Sequence, residues 1–540
     1  MSCSRRDAIV RLSALAALPV WSPRFADAFS APDPLLGTAL EYQAGRLRGE
    51  FTAAEIVKRA LDRCSGQGTR WRAIDQLNIN AVADAAASDA RLKARTLRGP
   101  LDGVPVFAKS IYDVRGMPTT ASSAEWARLF PHNVVHDAIE VARLRAAGAV
   151  IMGKTAADDF AYRGNGTSSH TGQVLNPYDA SDLKTPGGSS AGAAVTVAGG
   201  MAFSALGTDD GGSNRIPAQF SGVVGMKPTF GLVPRTGVIP TWPYLDTHGP
   251  LARSVTDAAC MMWTLVGPDP SDALSQDIGA TRMRAMFSPD GRTTLSPDAL
   301  RGCRLGFVSI HAPRAQMSED SLRVLDRALA DCRTAGATVD AFEAPVTRVN
   351  VRELFAADAT ARGDVRPNAN SPAATANALY RYFMRQGINP TMAVQRGHAA
   401  FRAFYDVLPT DWPAMEALLT QPYERDPAGV SFARSRESAV ARLRKAMEAE
   451  RIDALVYPTM PFPAPAARDA WPDVRTPLGY GNWMGLPEVS VPSGYDANGL
   501  PIGNLSFVGL PGDDAHLLAM AYAYEQQSRR FTPPPGIKPS

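Results

Sequence analysis

The sequence predicts an α/β architecture with a largely parallel sheet, and three observations predict it. Short apolar runs of strand length alternate with helical patterns between residues 103 and 152, and the alternation returns between 303 and 339. The chain has 540 residues, of which 45% are hydrophobic and 20% charged, so it can bury a large core and is not of disordered composition. Length alone suggests two or three domains, but large α/β enzymes often form one continuous sheet.

Residues 1–28 read as a targeting segment. Ser4-Arg5-Arg6-Asp7 precedes a modest apolar stretch over 8–20, and Ala26-Asp27-Ala28 supplies an A-x-A cleavage site. The paired arginines point to twin-arginine export and a periplasmic destination. Arg11 and Pro19 interrupt the apolar stretch, which falls far short of the about 20 residues of a membrane span, so no stable membrane insertion is expected.

In residues 29–540, Thr52-Ala53-Ala54-Glu55 is a capping box that opens a helix with Ile56, Ala60, Leu61 and Cys64 on one face. A second helix covers 82–93. Gly103-Val104-Pro105-Val106-Phe107-Ala108 is a short buried strand ending at Lys109, which puts a lysine at a strand's carboxyl end. Helix 138–147 and strand 149–152 continue the alternation. From 164 to 231 glycine, serine and threonine dominate, a composition suited to a site built from backbone. A strand over 303–310 then leads to a helix with Leu322, Leu325, Leu329 and Cys332 on one face. Gly336 closes that helix, and a strand follows near Val339.

Residues 346–450 form a variable, mainly helical segment. Its aromatics, Phe355, Tyr382, Phe401 and Tyr405 among them, read mostly as core packing rather than as a substrate cap. Strands around 455–457, 488–491 and 502–508, with an Asn498-Gly499 turn, and a helix over 514–527 complete the chain.

Removing residues 1–28 takes away four arginines and two aspartates, so the net charge falls from +3 to +1. With no basic excess to neutralise phosphates, nucleic acid is excluded as a partner. Cys64, Cys260, Cys303 and Cys332 are scattered without C-x-x-C spacing, which disfavours a zinc site and a disulfide scaffold and favours buried thiols, with a Cys303–Cys332 bridge the alternative in an oxidising compartment.

Two glycine–serine motifs stand out. One is Pro186-Gly187-Gly188-Ser189-Ser190-Ala191-Gly192 and the other Gly207-Thr208-Asp209-Asp210-Gly211-Gly212-Ser213-Asn214-Arg215-Ile216-Pro217. With Lys109 at the end of its strand, Gly225-Met226-Lys227-Pro228-Thr229 and Gly249-Pro250-Leu251-Ala252-Arg253-Ser254, they resemble the amidase signature family over nearly the whole mature chain. The resemblance implies a single domain with a large mixed central sheet covered by helices on both faces. It makes Ser213 the nucleophile, Ser189 a bridging serine after a cis peptide bond, and Lys109 the base. Asp210, Gly211, Gly212 and Ser213 would form the oxyanion hole, and Ser190, Asp209 and Arg215 would support these loops. Reactants would be a small-molecule amide and water, with no cofactor and no metal.

The chemistry explains the residue types. A serine hydroxyl is a weak nucleophile near neutral pH, so a base must take its proton as it attacks the carbonyl. Lysine serves only when neutral, which burial favours. The departures from the family pattern, Ser110, Ala191, Asn214 and Ser221, remove no member of the triad and point to a shifted substrate range. Esters and carbamates carry the same electrophile and are alternative substrates. Gly188-x-Ser190-x-Gly192 with His516 also fits a nucleophile elbow, but residues 180–186 are polar and proline-broken where a buried strand should stand. Ser181-x-x-Lys184 lacks the companion motifs of penicillin-recognising enzymes. An exported solute-binding protein would share the size and charge, yet has no use for two Gly-Gly-Ser loops and a strand-end lysine. The export signal argues against a component of an amidotransferase.

Overall fold

The computed structural model describes residues 33–288, 293–469, 471–472 and 476–537, so the expected signal segment and the Ala26-Asp27-Ala28 site lie outside the described residues. Eleven strands of the described chain pair in one sheet: β1 (Ile74–Leu77), β2 (Pro105–Lys109), β3 (Val150–Thr155), β4 (Ser204–Thr208), β5 (Val224–Lys227), β6 (His248–Ala252), β7 (Arg304–Phe307), β8 (Thr338–Ala341), β9 (Ala454–Pro458), β10 (Glu488–Tyr495) and β11 (Pro501–Val508). Their spatial order is β1-β3-β2-β4-β6-β5-β10-β11-β9-β7-β8. Helices flank this sheet in a single α/β domain.

The sheet is mixed, and this corrects the largely parallel sheet that the alternation suggests. β2 runs parallel to β3 and β4, and β7 runs parallel to β8 and β9, where strands and helices alternate. Between these flanks β4, β6, β5, β10, β11 and β9 pair antiparallel. The central strands β4, β5 and β6 are buried along their full length. Strands covered on both faces show no polar–apolar alternation, and those in Ser-Ala-Leu-Gly-Thr and His-Gly-Pro-Leu-Ala carry residues that punctuate loops elsewhere.

Local signals hold well outside the centre. Thr52 accepts the Glu55 N–H and Glu55 returns the bond to the Thr52 N–H, so the capping box opens helix Ala53–Arg63. The variable segment folds into helices Val351–Arg362, Pro372–Arg385, Pro390–Arg402, Trp412–Leu419 and Pro427–Glu450. Phe355, Tyr382, Phe401 and Tyr405 are buried there, as core packing requires. Cys64, Cys260 and Cys332 are buried free thiols, and Cys303 is a half-buried one. No helix of the described residues is long and apolar enough to cross a membrane.

Candidate active site

Lys109 is the last residue of β2 and Thr208 the last of β4, its parallel neighbour, so both side chains leave the sheet at the carboxyl ends of adjacent strands. The Lys109 Nζ, wholly buried, donates to Ser189 Oγ at 2.7 Å and to Thr208 Oγ1 at 2.8 Å. Ser189 follows a cis peptide bond from Gly188 and precedes helix Ala191–Ala198. Crowding explains Gly188: a Cβ there would stand 2.2 Å from Asp158 Oδ2. Burial lowers the Lys109 pKa to about 8, although the carboxyls of Asp210 and Asp158 pull it upward. Asp158 is itself raised to about 7 by burial, against the N–H groups of Thr167 and Gly166 that favour its charge.

Ser213 lies in the loop between β4 and helix Arg215–Phe220, and its carbonyl accepts the Ser190 N–H at 3.1 Å, which ties the two serine loops together. Ser190 Oγ is turned inward, to the Thr208 carbonyl at 3.3 Å and Asn214 Oδ1 at 3.1 Å. That is a bracing position rather than an attacking one, and His516 is exposed on the terminal helix Asp514–Ser528. Of the four residues expected at the oxyanion hole, Asp210, Gly211 and Ser213 line a cavity of about 330 Å3. The Gly212 N–H is bonded to Asp209 Oδ1 at 2.7 Å.

Asp209 and Arg215 form a wholly buried, two-bonded ion pair, Nε to Oδ2 and Nη2 to Oδ1, both at 2.9 Å. Arg215 also donates to Glu488 Oε2 and Asn482 Oδ1, each at 2.7 Å, while the Asn482 amide donates to the Asp209 carbonyl and carboxylate. Burial alone would raise the Asp209 pKa, and the Arg215 guanidinium overrides it and holds the carboxyl below its usual range. Lys227, buried beside Arg215, is lowered to about 7 by desolvation and then by that positive neighbour.

The sequence motifs single out Lys109, Ser189 and Ser213, but not their partners: Asp158, Asn482 and Glu488 lie outside any serine motif, and Thr208, although inside the second one, is brought to Lys109 only by the pairing of β2 with β4. The four departures from the family pattern are absent from the lining of the 330 Å3 cavity. Asn214 instead donates to the carbonyls of Met226 at 3.0 Å and Gly249 at 3.3 Å, and Ser110 Oγ accepts from Ser122 Oγ at 2.8 Å. Both brace the frame.

A larger cavity, about 520 Å3, lies along residues 235–248 and includes Arg235, Asp246, Asp272 and Tyr382. Its lining does not include Ser213, the expected nucleophile, so the candidate site is assigned to the smaller cavity by residue and not by volume. Among the described residues no group of three or more histidine, cysteine or acidic side chains is placed to hold a metal ion.

Known proteins resemble this chain over most of its length. The glutamyl-tRNA(Gln) amidotransferase A-subunit of Symbiobacterium thermophilum is 34% identical over 91% of this chain and 96% of its own. The crystal structure of the peptide amidase of Stenotrophomonas maltophilia superposes with a TM-score of 0.72 at 31% identity, covering 92% of this chain and 98% of the other. An amidase family protein from Bacillus anthracis superposes with a TM-score of 0.71 at 27% identity, covering 92% of each chain. With the family described as Amidase matching residues 55–518, a span that contains all eleven strands and the candidate site, the chain belongs to the amidase signature family.

Proposed function

We propose that this amide-cleaving hydrolase works as a serine amidohydrolase, cutting carboxylic amide C–N bonds through an acyl-enzyme on Ser213. The observation that carries the reading is the buried Lys109 amine, 2.7 Å from Ser189 Oγ and lowered to about 8. Ser213 Oγ attacks the carbonyl carbon; its proton passes to Ser189 Oγ as Ser189 gives its own to Lys109 Nζ. N–H groups of Asp210, Gly211 and Ser213 hold the oxyanion, while the expected Gly212 donor is taken by the Asp209 carboxylate. As the intermediate collapses, the C–N bond breaks and the proton returns through Ser189 to the departing amine. Water then attacks the acyl-enzyme by the same relay and releases the acid. Export through the twin-arginine route belongs to the same proposal and rests on Arg5, Arg6 and Ala26-Asp27-Ala28.

Intact-mass and peptide analysis after reaction with a slow-turnover amide tests the chemistry. The acyl group is expected on Ser213, absent in Ser213→Ala. Lys109→Ala and Ser189→Ala should each lower turnover by several orders of magnitude without unfolding the chain, with far from additive effects. An adduct on Ser190 that depends on His516 would overturn the assignment. The identity to an amidotransferase component raises a second reading, a chain that acts only within an assembly. Hydrolysis of free amides by the isolated chain separates the two.

A further inference from the structure

The run that carries Ser213 also carries a carboxyl that the relay leaves unused. Asp210 lines the catalytic cavity beside Gly211 and Ser213, yet is only 8% exposed. No N–H or O–H donor among the described residues reaches either of its carboxyl oxygens. Within its hydrogen-bonding reach stands Asp246, a second carboxyl, fixed by the N–H groups of Thr241 at 3.1 Å and Trp242 at 2.9 Å. Two carboxyls share a hydrogen bond only with a proton between them, so neither can satisfy the other as an anion. Lys109, whose charge also acts on Asp210, directs its hydrogen bonds to Ser189 and Thr208.

A nearly buried acid without a donor, facing the space the substrate enters, is complementary to a group that brings donors and positive charge. The same cavity holds the aromatic rings of Tyr162, Trp242 and Trp471, a further environment that suits a cation. Arg163, the basic residue of the lining, is exposed. Asp210 and Ser213 line the same cavity three residues apart in one run, which brings the carboxyl close to where the substrate carbonyl is proposed to sit. Building on Ser213 as nucleophile, we propose that Asp210, backed by Asp246, is a specificity-determining residue that receives a positively charged amine on the acyl side. Preferred substrates are then amides with an α-ammonium group. Burial, and then Asp246, hold the Asp210 carboxyl well above its usual range, so an arriving ammonium pairs with the carboxylate as Asp210 releases its proton to solvent.

Calorimetric binding to Ser213→Ala isolates recognition from turnover. Alaninamide and 2-methylpropanamide differ in an ammonium against a methyl group, and alaninamide should bind roughly tenfold or more tightly. In Ser213→Ala with Asp210→Asn the preference should vanish, with a thermal melt confirming the fold. Equal affinities, tighter binding of the neutral amide, or a preference that survives Asp210→Asn would each overturn the proposal. Should the double variant fail to fold, the first comparison alone can still refute it. Adduct mapping on Ser213 reports separately on the nucleophile, so the two readings fail by different measurements.

Discussion

Two opposing influences meet at the Lys109 amine. Desolvation favours the neutral form that can accept a proton, and the carboxyls of Asp210 and Asp158 favour the charged form that cannot. The net lowering to about 8 gives a sign: below that region Lys109 is protonated and idle, above it neutral and competent. A profile of kcat/KM from acid to alkaline pH should therefore rise through the region of 8, with a midpoint that belongs to the coupled set rather than to one group. His516→Ala should leave the profile unmoved, and a limb that disappears with it would contradict a lysine base. Asn214 makes a different point. Its sequence departure reads as a matter of substrate range, yet its amide bridges Ser190, Met226 and Gly249 away from the cavity. Asn214→Ile should cost about 1–3 kcal/mol in urea unfolding by orphaning those buried groups, more than it changes substrate preference. Ser189, Ser213 and Lys109 are legible because they stand in the motifs that carry the family resemblance, and the chemistry expected of them accounts for their residue types. Asp246 and Asn482 are not, because an aspartate or asparagine in an ordinary loop signals nothing until the fold places it.

Strands and helices differ in how openly they announce themselves. Helix Ala53–Arg63 and the unit of β2 and β3 follow from a capping box and apolar runs, which are local causes. β4, β5 and β6 carry no such mark, because strands buried on both faces lose the alternation that burial on one face imposes. The antiparallel centre is therefore invisible to local pattern and emerges only from pairing. Arg215 binds these elements to each other, joining the helix Arg215–Phe220 to the start of β10 through Glu488 and to helix Tyr480–Met484 through Asn482. Arg215→Met would leave Asp209 and Glu488 buried without their cation. A loss of about 3–5 kcal/mol in urea-unfolding free energy is expected, with turnover falling alongside it because Asp209 holds the Gly212 and Asn214 N–H groups. An unchanged midpoint would show that the network is dispensable.

Taken whole, the protein builds its site from distant stretches of one domain. Proposed export acts on the whole molecule: Arg5→Lys with Arg6→Lys should leave the protein in the cytoplasm, and fractionation that still finds it in the periplasm would remove the twin-arginine reading. The Arg215 clamp has a consequence in time. Ser213 and Arg215 are made early, whereas Asn482 and Glu488 follow 267 and 273 residues after Arg215. Synthesis runs from the amino end, and long-range contacts wait for both partners. A growing chain thus carries Ser213, Ser189 and Lys109 through about half of its synthesis without the brace that ties down the Ser213 loop. Chains ending before residue 482 should hydrolyse nothing in an amide-hydrolysis assay, so the growing polypeptide stays inert until roughly its last tenth is being made.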